Sequence, residues 1–111
     1  MTTQHIRFET KGVTDRESFF TVFSELMGFP DFFGRNWDAW IDCMRSVDAP
    51  DEGLSQVTVA PGELLHIEIA DAEEFAHRAP ELFQHFMDCT AFVNQSRQQR
   101  GRPPVLSLIL L

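Results

Sequence analysis

The chain has 111 residues, a formal net charge of −8 and a sequence pI near 4.8. That length predicts a single domain over residues 1–111, large enough to bury roughly two-thirds of its unfolded surface, while the acidic balance argues against direct nucleic-acid binding, which needs a basic footprint. Two cysteines make no disulfide framework, no apolar run is long enough to span a bilayer, and the start of the chain lacks a signal-peptide run, so the expected location is the cytoplasm, with no membrane partner.

In chain order, residues 5–9 predict a short strand. Thr14-Asp15-Arg16-Glu17 has the pattern of a capping box. It opens a helix whose apolar face is Phe19, Phe20, Val22, Phe23, Leu26 and Met27, stopped by Gly28 and Pro30. After an aromatic loop, Asn36 is the N-cap of a second helix reaching Arg45. Residues 47–62 read mostly as loop, with a possible short strand at 56–59. Leu65, Ile67 and Ile69 alternate with His66 and Glu68 in a strand over 63–69. Asp71-Ala72-Glu73-Glu74 is a second capping pattern and starts a short third helix. Pro80 suits the first turn of a fourth helix, which buries Leu82, Phe83, Phe86, Cys89 and Val93 and places Arg97 and Arg100 at its carboxyl end. Residues 105–111 are almost wholly apolar and predict a strand covered on both faces. Strands separated by helices imply an α/β fold: a small three-stranded parallel sheet with about four packed helices.

The second helix separates its residues by face. Trp37, Trp40, Ile41 and Met44 form an apolar stripe; Asp38, Asp42 and Arg45 recur on another side. Like charges one turn apart destabilise a helix by roughly 0.2–0.5 kcal/mol. The helix amino end offsets part of this for Asp38, which sits in the first turn, and less for the deeper Asp42. An acidic ridge beside an aromatic loop suits a surface that meets something basic, and opposite charge speeds such an encounter. No nucleophile, phosphate-cradling glycine loop or ligand set is gathered anywhere, so no enzymatic activity is expected. His85 and Cys89 lie one helical turn apart, but two ligands without a CxxC or HExxH pattern make no zinc site, and no metal or cofactor is expected. His66 and Glu68 share one strand face and read as a polar surface.

The segment Phe29-Pro30-Asp31-Phe32-Phe33-Gly34-Arg35-Asn36-Trp37-Asp38-Ala39-Trp40-Ile41-Asp42-Cys43 resembles the barstar family of intracellular ribonuclease inhibitors. The family pattern there is proline, an acidic residue, two aromatics, glycine, a variable residue, asparagine, a large apolar residue, Asp-Ala, two large apolar residues, then Asp-Cys. More weakly, Ile67-Glu68-Ile69 leading to Phe75 is similar to the family's middle strand and short helix, and Leu106-Ser107-Leu108-Ile109-Leu110 to its closing strand. The resemblance implies a three-stranded parallel sheet with four helices, and one-to-one plugging of the basic active site of a secreted ribonuclease. The implied binding positions are Phe32, Asn36, Asp38, Ile41 and Asp42. The aspartate matched by Asp42 would mimic a substrate phosphate, because arginine grips a carboxylate with two parallel bonds as it does a phosphate. Asp38 would pair with a flanking cation, Asn36 would bond the partner's backbone or cap the helix, and Phe32 would lie against a ring or guanidinium.

The chain departs from the family pattern at several of these positions. Phe32 lacks the hydroxyl of the usual tyrosine. Ile41 replaces a tryptophan, and Arg45 replaces a small polar residue, adding a cation that either repels foreign enzymes or meets an acidic patch on the true one. Asn94 and Gln98 stand where acidic residues are expected on the last helix, and the connection after the second helix is longer. A barstar-fold immunity or regulatory binding protein for a non-ribonuclease partner is the alternative reading.

Overall fold

Three strands, Gln4–Phe8 (β1), Leu65–Ile69 (β2) and Leu106–Leu110 (β3), pair in parallel in the order β1-β2-β3 in the computed structural model, which describes residues 4–111. Arg16–Met27 (α1) and Trp37–Arg45 (α2) occupy the first crossover; Ala72–Arg78 (α3) and Pro80–Gln99 (α4) occupy the second. The α/β class, the parallel sheet and the order of elements are those expected from the sequence.

Register decides which side chains meet. Ile6 lies opposite Ile67, and Ile67 opposite Leu108; Phe8 lies opposite Ile69, and Ile69 opposite Leu110. Since side chains alternate across a strand, Ile6, Phe8, Leu65, Ile67, Ile69 and Leu106 share one buried face. The other face carries His5, Arg7, His66, Glu68, Ser107 and Ile109, all exposed or half-buried. The closing strand was expected to be covered on both faces. Instead β3 is a sheet edge with the helical layer on one side, and Leu110 remains 55 % exposed. On the open face the His5 ring stacks on His66 at 4.7 Å, and His5 Nδ1 lies 3.4 Å from Glu68. Pairing across strands thus brings Glu68 to His5 on this polar face.

The helix signals were legible with small shifts. The capping box of α1 is Asp15 with Ser18, one residue beyond the Thr14–Glu17 pattern: Ser18 N–H donates to Asp15 Oδ1 at 2.8 Å, and Asp15 N–H donates to Ser18 Oγ at 3.1 Å. The Ser18 N–H bond, and second the Ser18 hydroxyl donating to the same Oδ1 at 2.7 Å, hold the Asp15 carboxyl below its ordinary pKa. Asp71 makes no side-chain cap; it takes a left-handed conformation with φ 52°. Gly28 ends α1 at φ 67°, and a Cβ there would lie 2.7 Å from the Gln56 side chain. That close approach exists because Gln56 and Val57 N–H both donate to Met27 O. The segment at 56–59 therefore bonds to the end of α1 and to Val47, and forms no strand.

The core is an aromatic lattice. Phe8 is fully buried, with ring centroids of Phe19, Phe23, Phe75 and Phe86 within 5.3–6.3 Å, mostly edge to face, a geometry that adds to simple area burial. Trp40 joins it between Phe23 at 5.6 Å and Phe86 at 5.9 Å.

A buried ion pair closes the far end of the helical layer. Arg97 was expected only to complement the carboxyl end of α4; it is 3 % exposed. Its guanidinium grips Asp48 with two bonds of 3.0 and 2.7 Å and also donates to Arg45 O and Pro103 O. One side chain thereby ties α4 to the chain leaving α2 and to the turn entering β3. Asn94 does related work: Oδ1 accepts from Val105 and Leu106 N–H, and Nδ2 donates to Leu106 O. It is committed to the fold and turned toward β3. Removing one partner of a buried pair leaves the other charge uncompensated. Asp48→Ala should therefore lower unfolding free energy by about 3–5 kcal/mol, read as a shifted urea midpoint; a shift too small to resolve would show that water satisfies Arg97.

Candidate functional site

The aromatic loop and α2 are positioned from below. Phe33 N–H donates to Pro30 O at 2.9 Å, closing a four-residue turn. Phe32 sits at its tip, 77 % exposed, while Phe33 turns inward against Phe20 and Phe29. Arg35 takes the left-handed region at φ 53°, uncommon for a residue other than glycine. Its guanidinium is anchored to α1 through Thr21 Oγ1 at 2.7 Å and Glu17 O at 3.1 Å, which fixes the turn into α2. Asn36 then caps the helix, its Oδ1 accepting from Ala39 N–H at 2.7 Å while Nδ2 donates to Gly34 O. Of the two roles open to Asn36, the cap is the one its geometry occupies.

Burial on one side of α2 sets what the other side presents. Trp40, Cys43 and Met44 are buried and Trp37 is half-buried against Phe19 and Phe20. Asp38 and Asp42 consequently face solvent, with Asp42 at 65 % side-chain exposure. Residues four apart on a helix are neighbours, with Cβ atoms about 5–6 Å apart, so the two carboxylates form a short ridge. Ile41 lies beside them half-buried. Arg45 folds back: its Nη2 donates to Asp42 Oδ1 at 2.7 Å. The cation that departs from the family pattern is thus engaged within the chain. It neutralises part of the ridge and occupies one oxygen of Asp42, leaving Oδ2 without a protein donor among the described residues.

Two residues outside the sequence-based set extend this surface. Burial raises the Cys89 thiol pKa, with further contributions from Asp88 and then Asp38. Asp38 on α2 and Asp88 on α4 thus act on the same thiol, and the negative field spans both helices. Phe92, one turn beyond Asp88, is 51 % exposed. Its signal was available: it falls off the buried stripe of Leu82, Phe86 and Val93. Asp38, Ile41, Asp42 and Arg45 lie on one short helix, and Phe32 projects from the turn in the loop that leads into it. Asn94 belongs to the fold, and Gln98 is exposed near the other end of α4.

A family model described as Barstar (barnase inhibitor) matches residues 3–109, nearly the whole chain. No curated protein matches the chain.

Two outcomes follow from the geometry of α2. Asn36→Ala should cost about 1 kcal/mol of stability through the lost cap, measured by denaturant unfolding; Asp42→Ala, at an exposed position, should stay within about 0.5 kcal/mol of the parent. The Cys43 thiol is pushed up to about 11, first by burial and second by the charge of Asp42. Since the thiolate is the nucleophile, Cys43 should resist iodoacetamide at pH 8 in the folded protein and react on unfolding in urea. Because its pKa is raised in the fold, this group favours folding below the ordinary thiol value of 9.0, and that contribution is lost as pH rises towards about 11. Rapid alkylation of folded Cys43 would contradict the burial argument.

Proposed function

The chain belongs to the barstar family, a family of ribonuclease inhibitors and not of enzymes, and from this premise we propose that it inhibits a secreted, basic ribonuclease inside the cell that makes it, in a one-to-one complex. The observation that carries the reading is the exposure of Asp38 and Asp42 on the solvent side of a helix whose opposite side is locked into the core.

A ribonuclease cleft gathers cations to stabilise charge that develops on a phosphoryl group. Asp42 offers acceptor oxygens to those cations and stands in for the phosphate. Asp38 meets a cation at the rim of the cleft. Phe32, projecting from its turn, covers a ring or a guanidinium face. Ile41 fills apolar contact between the carboxylates, with less area than an aromatic residue would give. Asn36 acts indirectly by holding the start of α2. No helix among the described residues is long and apolar enough to cross a membrane.

The test is survival on co-expression with ribonuclease toxins, beginning with any encoded beside this gene, followed by calorimetry on the enzyme that the chain neutralises. Truncating one partner of a buried charge pair costs about 2–5 kcal/mol, roughly 30- to 5,000-fold in affinity. Asp42→Ala should lose affinity in that range with its unfolding midpoint retained. Association should also slow steeply between low and physiological salt, as electrostatic steering does. Equal affinity for variant and parent, or a rate indifferent to salt, would remove the basis for the phosphate-mimic role.

A further inference from the structure

A cavity of about 360 Å³ opens at the carboxyl ends of α2 and α4, lined by Arg45, Ser46, Glu52, Arg97, Arg100 and Arg102. Four of the nine lysine and arginine residues of this acidic chain converge there. Two are neutralised internally: Arg97 by Asp48 and Arg45 by Asp42, each at 2.7 Å. Arg100 and Arg102 are exposed and have no carboxylate within ion-pair distance among the described residues. Glu52 supplies one carboxylate to the lining without forming an ion pair.

Arg45 connects this cavity to the acidic ridge, because it lines the one and bonds the other. Once Asp42 enters a basic cleft, its oxygens are engaged by the partner's cations and Arg45 loses its counter-ion. Arg45 would then face Arg100, Arg102 and a partner that is itself basic, an arrangement of like charges that opposes binding. A partner seated on Asp42 reaches Arg45, the residue at which the ridge meets the cavity. Asp42 and Arg45 are separated by about 4.5 Å of helix rise, whereas a standard interface covers about 800 Å² on each side.

We propose that the arginine-lined cavity receives a carboxylate of the same partner, so that the chain selects an enzyme carrying an acidic group beside its basic cleft. The inference rests on the ribonuclease-inhibitor reading and names the partner chemistry that reading lacks. Guanidinium forks hold carboxylates with two parallel bonds. As the complex forms, Arg45 exchanges Asp42 for the incoming carboxylate and Asp42 is released to the cleft, so both members of that pair keep a counter-ion. An enzyme with a neutral or basic rim at that point leaves Arg45 and its neighbours uncompensated and is rejected. Arg45 and the exposed pair Arg100 and Arg102 are, on this account, specificity-determining residues.

The experiment measures affinity by calorimetry for the ribonuclease neutralised in the survival test, using the parent chain, Asp42→Ala and the double variant Arg100→Glu/Arg102→Glu. Far-ultraviolet circular dichroism melts check folding; should the double variant unfold, Arg100→Gln/Arg102→Gln takes its place. The double variant should bind at least tenfold more weakly, or at least threefold for the glutamine pair. A lysine introduced at the enzyme's facing carboxylate should restore binding to the glutamate variant. Unchanged or tighter binding by the arginine variants overturns the cavity proposal alone, provided Asp42→Ala still loses affinity. Unchanged binding by Asp42→Ala overturns the ridge reading, and with it this inference, as does a survival test that yields no neutralised ribonuclease.

Discussion

The burial of Trp40 between Phe23 and Phe86 is the constraint on which the rest of the molecule turns. A helix of nine residues is too short to hold itself, since isolated helices under about 12–15 residues are marginal in water. Packing against the aromatic lattice supplies the missing stability, and it also fixes rotation about the helix axis. With Trp40 and Met44 inward, Asp38 and Asp42 have only the solvent side left to them. The electrostatic character of the surface is thus a consequence of how the core closes.

Around that constraint the chain places a series of polar fasteners. Asn36 starts α2, Arg35 ties its leading loop to α1, and Arg97 with Asp48 secures its trailing end to α4. The Arg97–Asp48 pair satisfies charges that would otherwise lie buried and unpaired, which is costly inside a protein, while the Asn36 and Arg35 bonds hold the chain at the surface. The loop tip, in contrast, carries nothing that holds Phe32 down. A rigid helix beside a projecting aromatic is a suitable base for recognition, because ordering entropy is spent in folding and not at the moment of binding.

The charges on α2 form a graded series. Asp38 gains from the helix amino end, Asp42 is shared with Arg45, and Arg45 borders a cavity where further arginines gather. Within some two helical turns the surface passes from wholly acidic to predominantly basic. A partner that fits all of it must carry the opposite sequence of charges, which is a far narrower requirement than being basic. Membership of an inhibitor family supplies the general function; this charge order is where the individual chain differs from the pattern its motif resembles.

Local patterns in the sequence determined most of the elements, because helix periodicity, caps and strand alternation act between residues a few positions apart. The order of strands and helices, the start of α2 at Asn36 and the apolar stripe through Trp40 were all legible in that way. Other features depend on residues far apart in the chain. Arg97 looked like a helix-end cation, although its spacing of four from Val93 placed it on the buried stripe; its partner Asp48 is 49 positions away. The open face of the sheet followed from three strands with helices on one side, a matter of topology that no strand encodes alone. Arg45 gave no sign of whether it would reach outward or back to Asp42, since that choice is made by the space its side chain finds. Sequence settled what each segment becomes, through short-range periodicity and hydrogen bonding; tertiary structure decided which charges meet, because pairing depends on distances that only the packed chain defines.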